Sequence, residues 1–163
     1  YNENYDSLLI TINPWEERLF HVYDVRTKKK INSCISLGQG PEEMIQPVFV
    51  GDADSVRIFD MAASRYCVYP VDSFMLKSQP KAAAKIRLPD PAFGEMGILD
   101  NGCICAAYNP DFLFHKYDKE WRKAGELGTY PESGISFTES ERLEAYRFAF
   151  ATNHHDRIAV CYN

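Results

Sequence analysis

The chain contains no apolar run approaching the roughly 18 consecutive residues that a membrane-spanning helix needs, so no such span is expected. Clustered positive charge is also scarce: 18 Lys and Arg face 23 Asp and Glu, and only Lys28 to Lys30 stand together. Nucleic acid is therefore a poor partner, because phosphate neutralisation needs grouped cations. No Lys-Ser or Lys-Thr pair follows a glycine loop, which removes the phosphate-binding signature. The stretch "GISFT" around Ser136 lacks the second glycine of a nucleophile elbow, leaving a Ser-His-Asp triad without support. Cysteines number five, Cys34, Cys67, Cys103, Cys105 and Cys161, without the CxxC spacing that zinc sites use. Cys103 and Cys105 share a strand face near the outer limit of disulfide reach. All five read as free, small core residues, with no metal and no cofactor expected.

What is plentiful is aromatic and β-branched sequence, in short clusters. The 10 Phe, 10 Tyr and 2 Trp fall in runs of apolar residues bounded by Asp, Asn, Gly and Pro, which is strand patterning. Laid against itself, the chain repeats. "DSLLITINPWEERLFHVYDVRT" from Asp6, "DSVRIFDMAASRYCVYPVDSF" from Asp54, "NGCICAAYNPDFLFHKYDKEW" from Asn101 and "DRIAVCYN" from Asp156 follow one plan at intervals of about 50 residues. One full period reads as four strands, Val48 to Gly51, Ser55 to Asp60, Arg65 to Val71 and Ala83 to Leu88. Four strands per repeat of this length predict an all-β fold: a β-propeller segment of about three four-stranded blades. The third period is longer than the others. Its excess holds "TESE", a capping box that predicts one short helix near 139–146, the only helix expected.

The stretch "SLGQGPEEM", Ser36 to Met44, then reads as the corner joining one blade to the next. Gly38 and Gly40 permit positive φ, while Pro41 removes a donor and Glu42 and Glu43 would repel an anion. Together with "VFVGDADSVRIFDMAASRYCVYPVD" it resembles an NHL-type blade, and more narrowly the TolB-like six-bladed propellers of exported Bacteroidetes proteins. The matching positions are Gly38, Gly40, Pro41, Glu43, Pro47, Asp60 and Arg65. The resemblance implies that residues 1–163 form a single segment of a longer six-bladed parent, exported to the periplasm or cell surface, as lipoproteins of this kind are. A possible homodimer is the alternative if the chain is complete. The opening "YNENYDS" is that of a processed or trimmed product, with any export signal lying upstream.

Two histidines, His21 in "LFHVYD" and His115 in "LFHKYD", occupy one repeat position and read as packing residues. His154 and His155, beside Asp156, sit on a turn where successive side chains diverge. Strand direction places the connectors after second and fourth strands on one face. There an aromatic anchor, Trp15, stands among Glu16, Glu43, Asn109 and Asp111, an aromatic centre with a polar rim. Expected function is thus a non-catalytic binding or scaffold module for a protein, peptide or glycan. The alternative is a propeller enzyme, lyase or lactone hydrolase in kind, with a site near the central channel.

Overall fold

The computed structural model describes residues 7–50, 55–89, 96–107, 109–130, 132, 134–145, 148–154 and 157–162. Within them the fold is mostly β, built of consecutive antiparallel sheets, and it divides into two compact units, residues 1–85 and 86–163.

In the first unit, β1 (Leu8–Ile12), β2 (Arg18–Asp24) and β3 (Lys29–Ser36) form a three-stranded meander. A second meander follows: β4 (Pro47–Phe49), β5 (Val56–Asp60), β6 (Arg65–Tyr69) and β7 (Ala84–Arg87), the last straddling the unit boundary. β2 is central and buried on both faces, since Leu19, Phe20, His21 and Val22 are all inside. That is why its sequence runs nearly continuously apolar instead of alternating. Phe20, Val22 and Cys34 of the first sheet share a core with Val56, Ile58, Cys67 and Tyr69 of the second.

One helix of this unit departs from the sequence reading. Α1 (Val71–Leu76) lies in the connector between β6 and β7, where only a loop is expected. Its cause is local. The third strands end "VYD", "VYP" and "KYD". In the first and third, Asp24 and Asp118 fold a turn: Asp24 Oδ1 accepts the amides of Arg26 (2.8 Å) and Thr27 (3.1 Å), and Asp118 Oδ1 those of Glu120 (3.0 Å) and Arg122 (2.9 Å). Pro70 in the second cannot nucleate such a turn and instead stands at the N-cap of α1 with φ −60°. Val71, Phe74 and Met75 recur at helical spacing, and Phe74 is fully buried, edge-on to Phe20 (5.5 Å) and Tyr69 (5.1 Å). A single 3₁₀ turn, Met61–Ala63, joins β5 to β6.

In the second unit, β8 (Met96–Leu99), β9 (Gly102–Ala106), β10 (Phe114–Tyr117) and β11 (Lys123–Leu127) form another four-stranded meander around Ile104, Leu113 and Phe114. Gly102 is obligatory at the start of β9. Its φ is +137°, and a Cβ there would stand 2.0 Å from the Tyr117 carbonyl oxygen. Α2 (Glu139–Ala145) begins where the capping box expects it. The Thr138 amide donates to Glu141 Oε2 (2.9 Å) and the Glu141 amide to Thr138 Oγ1 (3.3 Å). Residue 146, the expected end, lies outside the described residues. β12 (Phe148–His154) and β13 (Arg157–Tyr162) then pair as a hairpin.

Among the described residues the strands therefore fall in sheets of three, four, four and two, with four in each full period as expected. Cys34, Cys67, Cys103 and Cys105 are buried free thiols, as expected; the side chain of Cys161 lies outside the described set. Burial pushes the Cys34 thiol up to about 12, which makes it inert at neutral pH. No helix is long and apolar enough to cross a membrane among the described residues.

Candidate functional site

Two structures meet at one end of the first unit, an interlocked corner and a projecting loop. The corner is the stretch Ser36 to Pro47. Its ends are tied by the Met44 amide to Ser36 O (3.1 Å) and the Gly38 amide to Met44 O (3.0 Å). The Glu43 carboxylate folds inward, accepting the Gly40 amide at 2.8 Å. Gly38 takes φ +155°, a backbone conformation that L side chains rarely adopt, and Glu43 Oε2 lies 2.1 Å from where a Cβ would stand.

Beneath the corner lies Asp60, fully buried at the end of β5. Its carboxylate accepts the amides of Gln46 (3.0 Å) and, more distantly, Ile45 (3.4 Å), and pairs with Arg65 Nη2 at 3.2 Å. Arg65 also donates to the carbonyls of Pro41 (3.3 Å) and Glu43. Lys85 closes the outer side through Pro41 O and Glu42 Oε1, both at 2.7 Å. Gly38, Gly40, Pro41, Glu43, Asp60 and Arg65 thus converge on one hydrogen-bonded knot, with Pro47 paired opposite Asp60 at its edge. These are the positions that carry the blade resemblance. Their spacing in sequence is explained by one contact set in space.

The consequence for the expected recognition face is direct. Glu43 braces the corner from within and Glu42 is held by Lys85, so neither stands as a free acid at the rim. Trp15 and Glu16 are the opposite case. They lie in the loop between β1 and β2, which closes through the Asn13 amide on Leu19 O (2.7 Å) and abuts the corner through the Leu37 amide on Glu17 O (3.3 Å). Asn13 shapes the loop as an Asx turn, its Oδ1 accepting the Trp15 amide at 3.1 Å. The Trp15 side chain is 92% exposed.

Under that loop sits His21, almost wholly buried. Its Nδ1 is 2.9 Å from Ser33 Oγ on β3. Its Nε2 faces Glu16 Oε2 at 3.3 Å, in contact but without hydrogen-bond geometry. Glu16 Oε1 in turn accepts from Asn13 Nδ2 at 2.8 Å. The sequence reading has no means of finding this chain of contacts, because Glu16 and Ser33 flank His21 in space through a hairpin register, not through a motif.

The second unit carries a matching loop between β9 and β10. It closes through the Ala107 amide on Leu113 O (2.9 Å). Asn109 Oδ1 accepts the Asp111 amide at 2.8 Å, and Asn109 O is held by the Tyr130 hydroxyl at 2.8 Å. Asp111 is exposed and Asn109 half-buried. Beneath them His115 packs its ring edge-on to Phe112, centroids 5.1 Å apart. Trp15 with Glu16, and Asn109 with Asp111, are thereby assigned to equivalent loops of different units. Among the described residues no group of three His, Cys, Asp or Glu is placed to hold a metal ion, and the His154–His155 turn lies outside the described side chains.

No protein-family model matches the chain, and no curated protein matches it. Among solved structures it is similar to a Bacteroides fragilis NCTC 9343 protein described as exported, at 17% identity and a TM-score of 0.56. The likeness covers 80% of this chain and 38% of the other, so this chain spans well under half of that protein's length. At that identity what is shared is the fold.

Proposed function

We propose that this chain is a segment of a β-propeller of the NHL/TolB-like kind, acting as a non-catalytic binding or scaffold module in the periplasm or at the cell surface. The observation that carries the reading is the Trp15 loop. An indole left 92% exposed is a cost unless something covers it, and this one stands on a loop braced from beneath by Asn13, Glu16 and His21. A braced aromatic loses little further freedom on binding, which is how recognition surfaces retain affinity. The flanking acids Glu16 and Glu17, and the formal charge of −5, favour a cationic or hydroxyl-rich protein, peptide or glycan over an anionic one. Asn109 and Asp111 form the corresponding contact loop of the second unit. The exported, β-rich neighbour supports the compartment, and the order of the sheets supports the blade reading.

The test is a peptide and glycan array probed with the native chain and with Trp15→Ala. The expected result is a cationic or polyhydroxylated ligand whose affinity drops about tenfold or more on losing the indole, in line with a truncated aromatic hot spot. Unchanged affinity, or protection from footprinting on residues 72–81 in place of the Trp15 loop, refutes it.

A further inference from the structure

We propose that His21 and His115 are positioning residues, each setting the conformation of the loop that precedes its own strand. The repeat alone makes them look like shared packing positions. Their contacts say something narrower. In both units the loop closes at the same register, the amide of Asn13 or Ala107 on the carbonyl of Leu19 or Leu113. In both an Asx turn follows, although its asparagine comes two residues later in the second unit: Asn13 holds the Trp15 amide and Asn109 holds that of Asp111. In both the buried imidazole touches the third residue after that asparagine. It meets Glu16 Oε2 at 3.3 Å in the first unit and the Phe112 ring at 5.1 Å in the second.

The same loop feature is therefore seized by the same histidine with different chemistry. An imidazole suits both tasks, since it offers polar nitrogens at its edge and an aromatic surface. In the first unit the ring is itself anchored by Ser33 Oγ at 2.9 Å, so the linkage runs from β3 through β2 to the base of the Trp15 turn. In the second the Tyr117 ring lies tilted beside it, centroids 6.3 Å apart. The residue each imidazole meets stands at a different place before the strand, three residues before Leu19 in the first unit and one before Leu113 in the second. What this does for recognition rests on the reading of the Trp15 loop as the contact surface, but the positioning itself does not.

The experiment is NMR on the full chain. The probes are the Trp15 indole and backbone amide and the Asp111 amide, followed by heteronuclear NOE and amide exchange in His21→Leu, His21→Gln and His115→Leu, with a denaturant midpoint for each. His21→Leu is expected to lower the Trp15 NOE and speed its amide exchange while leaving Asp111 unaffected; His115→Leu does the reverse. His21→Gln, which can still donate and accept at its tip, is expected to restore the Trp15 signals. Should His21→Leu fail to fold, Glu16→Ala cuts the same link from the exposed side and is expected to loosen Trp15 alone. Native Trp15 signals in a folded His21→Leu or Glu16→Ala chain overturn the proposal. So does a His21→Gln chain that recovers stability without recovering the Trp15 signals. Loss of the binding reading, by an unchanged affinity of Trp15→Ala, would leave these signals as they are.

Discussion

Asp60 shows how much of this chain's chemistry is structural. Its carboxylate is fully buried, satisfied by two loop amides and one guanidinium, and surrounded by the carbonyls that the same guanidinium holds. Asp60→Ala leaves Arg65 charged and half paired against the corner, and the expected cost is about 3 to 5 kcal/mol, read as a shift in denaturant midpoint. A midpoint within error of the native one would mean the corner does not depend on the pair. Asp24 and Asp118 behave differently, because they are at the surface. The Thr27 amide, foremost, holds the Asp24 carboxyl below its ordinary value of 3.8, and the Arg122 amide does the same for Asp118. A folded value depressed below the unfolded one means the two turns contribute their stability in full above that ordinary value. The contribution fades as the pH falls through the lowered folded values. A carboxyl NMR titration is expected to place both midpoints below 3.8, with the Asp118→Asn chain losing the acid dependence of the second turn; midpoints at or above it would contradict the hydrogen-bond assignment.

At the scale of elements, the chain is legible where the signal is periodic and opaque where it is single. Strands β4 to β7 fall within a few residues of their sequence positions because Val, Ile, Phe and Tyr are bounded by Asp, Gly and Pro. Α2 is legible from its capping box, in which both reciprocal bonds form. Α1 escapes because six residues are too few to show a period. Its one distinguishing signal is Pro70, standing where the other repeats have Asp. The site follows the same rule. Trp15 is legible as an exposed aromatic from its turn context, whereas the inward set of Glu43 onto the Gly40 amide is a contact that no spacing rule reports. Because Phe74 is buried between Phe20 and Tyr69, α1 is a plug in the core of the first unit and not a loop ornament. Phe74→Ala is expected to cost about 3 to 5 kcal/mol, in the range of large aromatic truncations. Chemical denaturation of the purified variant measures it, and a loss below about 1 kcal/mol, the level of a surface substitution, would show that the helix is dispensable.

At the scale of the whole molecule, the repeat seen in sequence became sheets in the same order, yet the sheets are not equally complete. β5 and β9 are each flanked on both sides, by β4 and β6 and by β8 and β10. Among the described residues β1, at the corresponding position of the first sheet, pairs only with β2, and β13 pairs only with β12. Each therefore presents a row of backbone donors and acceptors, the arrangement that recruits another strand. β1 has Leu9 half exposed beside that edge and no proline or lysine to blunt it. The 163-residue polypeptide, made by itself, is accordingly expected to self-associate as its concentration rises, which static light scattering reads as a mass above that of one chain. Substituting Ile10→Pro removes a donor that points away from β2 and, if that edge is the contact, returns the scattering mass toward the monomer. Ile10 also packs against the core and lies opposite Val22 on β2, so an amide-exchange check that β2 and β3 stay protected must accompany the measurement. A native chain that remains monomeric at every concentration would mean both edges are already covered, and the completion of these sheets by a further copy would have to be abandoned.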